Sequence, residues 1–201
     1  MQNLFILGDS ISVHYTPFVR QALPGRRVQR KGDFEATPVP GEPDAANGGD
    51  SGMALAYLQD VSSRLRCDCL LLNCGLHDIK IDPASGRHQV EAQEYRRNLE
   101  AMLALARQMA QHLVWVATTP VDDERHRRLN ASFTRLDADV QRYNALAGEV
   151  MRPAGVPQID LYTFTRNLGP EVYVDHVHFS EQVSARQAAL IAGFLLGWME
   201  H

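Results

Sequence analysis

The chain has 201 residues, an apolar share of 45%, a charged share of 22% and a formal net charge of −4. This is the composition of one globular domain, 1–201, long enough for a substantial core, and its acid excess argues against nucleic acid as a partner. No apolar stretch approaches the length that spans a bilayer, and the N-terminal apolar run is too short and lacks a basic start for a signal peptide, so a cytoplasmic location is expected.

Leu4 to Leu7 form an apolar run bounded by Gly8-Asp9 and read as a short buried strand. Ser10 then stands at the carboxyl edge of a sheet, where open α/β folds bind ligands. Asp and Ser in this place also suit a helix N-cap. A helix is expected from Pro17 to Leu23, closed by Pro24-Gly25, with a short strand near Val28. Residues 31–49 are rich in Gly, Pro, Asp and Asn and read as a long surface loop. Ala54, Leu58, Val61 and Leu65 fall at helical spacing, so a helix begins near Gly52.

Leu70-Leu71-Leu72 and their neighbours read as a fully buried strand of a parallel sheet, followed at once by Gly75-Leu76-His77-Asp78. Cys67, Cys69 and Cys74 are odd in number and are expected as buried free thiols; their spacing lacks the paired ligands of a zinc site. Tyr95, Leu99, Met102, Ala106 and Met109 mark a long helix, and Leu113 to Ala117 the next strand, ended by Thr118-Thr119-Pro120. A polar loop over Val121–Arg135 precedes a helix striped by Leu136, Val140, Tyr143, Ala147 and Val150. Val156 to Leu161 read as a strand, followed by an irregular excursion to Asp175 and a final helix capped by Ser180.

Strands alternating with helices call for a parallel sheet of about five strands covered on both faces, a three-layer α/β/α sandwich. The polar motifs follow strands, so they converge on one edge. Asp175 and His178, three apart, can pair so that the carboxylate fixes the imidazole and the free ring nitrogen faces Ser10. The backbone N–H groups of Ser10 and Gly52 and the side chain of His77 are candidate oxyanion donors. Asp78 more plausibly ties down its own loop by local hydrogen bonds. Gly49-Asp50-Ser51-Gly52 repeats the Gly-Asp-Ser motif, but Ser51 follows a Gly/Pro loop, which argues against it as nucleophile.

Together these residues resemble the SGNH (GDSL-type) hydrolase superfamily. Its first block is matched by Gly8-Asp9-Ser10-Ile11-Ser12, its second by Asn47-Gly48-Gly49-Asp50-Ser51-Gly52 and its last by Asp175-His176-Val177-His178. The third block departs: Gly75-Leu76-His77-Asp78 puts histidine where the family's oxyanion asparagine stands. The resemblance implies a flavodoxin-like sheet and hydrolysis of a small-molecule ester without a cofactor, with Ser10, His178 and Asp175 as catalytic residues and Asp9 and Asp78 in support. Short acyl groups, such as acetyl on a carbohydrate, are the expected substrate; thioesters and lysophospholipids are the alternative in the same superfamily. A metal-dependent hydrolase using His77, Asp78, Asp175, His176 and His178 is a competing reading, as is a non-catalytic carbohydrate-binding relative.

Overall fold

Among the described residues the sheet is wholly parallel, with five strands in the order β2-β1-β3-β4-β5. The computed structural model describes residues 1–33, 46–130 and 132–199. The strands are β1 Asn3–Leu7, β2 Arg27–Arg30, β3 Cys67–Leu72, β4 Ala110–Val116 and β5 Gln158–Ile159. The helices are α1 Ser10–Ala22, α2 Ser51–Val61, α3 Ala92–Met109, α4 Asp123–Leu129, α5 Asp137–Met151, α6 Leu161–Arg166 and α7 Glu181–Met199. α1 packs on α7, while α2 and α5 pack on α3, so the sheet is covered on both faces.

This burial explains why β1 and the end of β3 are continuous apolar runs rather than alternating ones. The α3 stripe Tyr95, Leu99, Met102, Ala106 and Met109 is the face that packs inward, and each of its residues is buried. Strand order reverses at β1: the chain leaves it toward β2, then returns to β3 on the other side. The carboxyl ends of β1 and β3 therefore flank a topological switch point, the place where open α/β sheets bind ligands.

Several boundaries differ from the sequence expectation. Helix α1 starts at Ser10, not Pro17, because Asp9 caps it by accepting from the Ile11 N–H at 3.0 Å. Pro17 is tolerated inside the helix on its exposed side. The expected loop 121–135 contains α4, whose Asp-Glu-Arg-His-Arg-Arg stretch has no apolar period and is started by the Asp122 cap on the Arg125 N–H. The fifth strand is only Gln158–Ile159, since Asp160 already caps α6. Most of the expected loop 31–49 falls on residues 34–45, outside the described residues. All three cysteines are free and buried, and burial pushes the Cys67 and Cys69 thiols up to about 12. Among the described residues no helix is long and apolar enough to cross a membrane.

Gly75 turns the chain out of β3 with φ +141°, and a Cβ there would lie 2.5 Å from the Thr118 hydroxyl, itself bonded to the Cys74 carbonyl. Gly75→Ala is expected to cost roughly 1–3 kcal/mol of stability, read from urea unfolding midpoints. An unchanged midpoint would mean that this turn relaxes without strain.

Candidate active site

The site is built from the ends of β1 and β3 and from the segment before α7. Gly8 allows the close approach of two neighbours. A Cβ on it would meet that of Ser12 at 2.9 Å, and its carbonyl accepts from the Gly48 N–H at 2.8 Å. Asp9 is buried, and its carbonyl takes the Ser12 hydroxyl at 2.6 Å. Burial raises the Asp9 carboxyl above its usual range, against the pull of the Ile11 N–H. The cap places Ser10 as the first residue of α1.

The Ser10 hydroxyl lies 2.8 Å from Nε2 of His178, and Nδ1 of His178 lies 2.6 Å from Oδ2 of Asp175. Oδ1 of Asp175 accepts from the backbone N–H groups of Val177 and His178 at 2.8 and 2.7 Å. Burial opposes ionisation of Asp175, but these N–H bonds and the His178 ring outweigh it and hold the carboxyl down to about 2. The segment is less irregular than its sequence suggests. Val174 N–H donates to the His178 carbonyl, Ser180 N–H donates to the Val172 carbonyl, and Tyr173 and Phe179 form an antiparallel bridge. Buried Val177 and Phe179 anchor this small hairpin in the core. His14, one turn along α1 from Ser10, lies against the His178 ring at 4.8 Å between centroids.

His77 and Asp78 arrive from the other side of the switch point. Burial, and then the charges of Lys80 and Arg135, lower the His77 pKa to about 3, so its ring is neutral and carries one N–H. Asn47 Nδ2 lies 3.5 Å from His77 Nε2, while its Oδ1 accepts from the Gly49 N–H. The Asp78 carboxyl takes a local bond from its own backbone N–H, as the sequence suggested, and also reaches beyond its loop. Its Oδ1 reaches across to accept the Ser51 N–H at 2.9 Å, joining β3's loop to the start of α2. Ser51 is fully buried, and its hydroxyl accepts from Asn98 at 2.9 Å. In the first turn of α2, the Met53 and Ala54 N–H groups go to Asp50 and that of Ser51 to Asp78. Gly52 keeps an N–H with no protein partner among the described residues.

The structure thus brings Ser10, His178 and Asp175 into one hydrogen-bonded chain. It gives Asp9 and Asp78 architectural contacts. Sequence reasoning passed over Asn47, His14, His126, Phe133 and Arg135. Asn47 lay within a recognised block, but the last three lie in a stretch without apolar period, where no local pattern marks a residue that turns inward. Among the described residues no group of three or more His, Cys, Asp or Glu side chains is arranged to hold a metal ion.

The model of the GDSL-like lipase/acylhydrolase family matches residues 6–186, and the chain belongs to that family. A search of curated proteins finds no match. Among solved structures, a lipolytic protein of the G-D-S-L family from Veillonella parvula DSM 2008 superposes with TM-score 0.69 at 15% identity, covering 96% of this chain and 98% of that one. The lipase/acylhydrolase from Enterococcus faecalis gives 0.69 at 18% identity, covering 98% and 96%. Est24, a carbohydrate acetylesterase from Sinorhizobium meliloti, gives 0.67 at 14% identity, covering 98% and 100%. At these identities the likeness is one of fold.

Burial raises the Asp78 carboxyl to about 7, against the Ser51 contacts that favour its ionised form. The folded protein therefore holds a proton that the unfolded chain releases near pH 4, and stability falls as pH rises between about 4 and 7. Asp78→Asn keeps the acceptor for Ser51 and removes this titration. Urea midpoints at pH 5 and pH 8 are expected to differ less in Asp78→Asn than in the unaltered protein; equal differences would refute the assignment.

Proposed function

We propose that the chain is a serine esterase that cleaves short-acyl carboxylic esters, acetyl groups on a carbohydrate or small molecule being the favoured substrates. The observation that carries this reading is the Ser10–His178–Asp175 chain, with spacings of 2.8 and 2.6 Å. Ser10 attacks the acyl carbon as its proton passes to Nε2 of His178. Asp175, ionised down to about pH 2, holds Nδ1–H and stabilises the imidazolium. The tetrahedral oxyanion takes the Ser10 and Gly52 backbone N–H groups and the neutral His77 ring as donors. Collapse expels the alcohol, which takes the proton from His178. Water then attacks the acyl-serine with His178 as base and frees the acid and Ser10. The carbohydrate acetylesterase Est24 and an acetyl xylan esterase among the structural neighbours lend weight to acetyl substrates.

A second reading, hydrolysis of longer acyl esters or thioesters, draws on a groove of about 320 Å³ beside His178, lined by His14, Pro17, Phe18, Phe179, Glu181 and Ser184. A series of nitrophenyl esters from acetate to decanoate separates the two: peak kcat/KM at two carbons supports the first, and at eight or more the second.

Labelling by a fluorophosphonate is expected at Ser10 and at no other serine. Ser10→Ala and His178→Ala should abolish hydrolysis, and Asp175→Asn should lower kcat by about 10⁴ through the wrong tautomer. Ser51→Ala retaining no activity while Ser10→Ala remains active would overturn the reading. Above about pH 4 neither Asp175 nor His77 changes protonation. Neither of these two groups should therefore add a limb to the pH profile of kcat/KM above that point; a limb lost in Asp175→Asn or His77→Asn alone would contradict this.

His77→Ala is expected to lower kcat by roughly 10²–10³ with little change in KM, the loss typical of one oxyanion donor. His77→Asn should recover part of it. Near-normal kcat in folded His77→Ala would remove His77 from the donor set.

A further inference from the structure

Arg135 lies just before α5 and is only 3% exposed. Holding a guanidinium out of water is costly unless an anion faces it. Among the described residues no carboxylate lies within ion-pair distance of Arg135. Its Nε–H donates to the Leu76 carbonyl at 2.6 Å, and Nη1 lies 3.4 Å from Nε2 of His126. Nη2 has no protein partner among the described residues. With Nη1 donating to Nε2, the neutral His126 ring carries its proton on Nδ1, which is buried and also without a partner. Of these two neighbouring groups, His126 Nδ1 is buried and unmatched, while Arg135 Nη2 has no protein partner among the described residues and is not among the fully buried atoms, so it is open to a ligand.

These donors adjoin the reacting groups. Leu76 precedes His77 in the chain. The His126 ring is 5.1 Å from that of His176, which is 6.2 Å from that of His178. Asp9 and Asp175 are near enough for their charges to act on Arg135, although burial dominates and lowers its pKa to about 10. It remains a cation at neutral pH. Phe133 lies against the guanidinium at 4.8 Å, and Lys80 sits 5.0 Å from the same ring, adding a second positive charge.

We propose that Arg135 receives a carboxylate on the substrate, so that the preferred esters are anionic: O-acylated hydroxy acids or sugar acids, or monoesters of a dicarboxylic acid. The guanidinium fork matches a planar carboxylate, and His126 Nδ1–H adds a neutral donor to the same group. This rests on the esterase reading for turnover, but the binding it implies can be measured without turnover.

The test compares 2-acetoxypropanoate with its neutral amide, and a succinate monoaryl ester with its methyl-capped form. The first pair places the charge on the leaving group and the second on the acyl group. In at least one pair the charged ester is expected to exceed its neutral partner in kcat/KM by roughly 10–100-fold, the range of a charge-assisted hydrogen bond. That ratio should fall to within about threefold in Arg135→Gln, whatever the absolute rates, and be partly kept in Arg135→Lys. Ratios near one in both pairs, or an unaltered ratio in Arg135→Gln, overturn the proposal. Calorimetric titration of the unaltered protein with 2-hydroxypropanoate and succinate, each against its amide, needs neither a folded variant nor an active enzyme. Binding of at least one carboxylate over its amide supports the proposal, and no preference for either carboxylate refutes it. Failure to hydrolyse any ester would count against the esterase reading alone.

Discussion

The pairing of β1 with β3 is the constraint on which the rest depends. Leu4 to Leu7 lie in register with Cys69 to Leu72, and the Asn73 N–H extends the ladder to the Leu7 carbonyl at 2.9 Å. Two turns with different tasks therefore leave the sheet side by side. One leads through Gly8 into the capped start of α1 and presents Ser10. The other leads through Gly75 to His77 and Asp78. Neither turn could hold its side chain by itself. Burial of both strands on both faces fixes their relative height, and the Gly8 carbonyl and Asp78 carboxylate each take an N–H from residues 48–51. The start of α2 is thereby tied to both turns.

Electrostatics then divides the histidines. His14, His77, His126 and His176 are all shifted toward the neutral ring, with burial as the first cause in each. Among the described residues only His178 has a carboxylate at 2.6 Å on one nitrogen and a serine at 2.8 Å on the other. The neighbouring rings supply shape and hydrogen bonds around it.

Much of this was legible in the residues. Periodicity identified the α3 stripe and the buried strands because the same burial that stabilises an element writes its pattern. Glycine at 8 and 75 and the Asp-x-x-His spacing pointed to the edge where Ser10 and His178 meet. What escaped was set by long-range contacts. Arg135 and His126 turn inward only because Leu76 and His176 stand where they do, and nothing within a few residues of either records that. Asp78 was legible as a hydrogen-bonding residue but not as a partner of Ser51, which is 27 positions away. The helix was expected only from Pro17, although Asp9 and Ser10 had read as a suitable N-cap, and Asp9 is the cap that starts α1.

Ser10 and His178 are 168 positions apart, and α1 is held against α7. If these are the two reacting groups, as proposed above, a domain in which they enter so far apart has no functional subset. Closing that span carries a chain-entropy cost that is repaid only when the sheet between them has formed. During synthesis, when the N-terminal part folds first, Ser10 emerges early as an ordinary capped serine with no base beside it. It gains its partner only when the 172–180 hairpin and α7 have been made. On the proposed reading, hydrolytic competence and completion of the fold then become the same event.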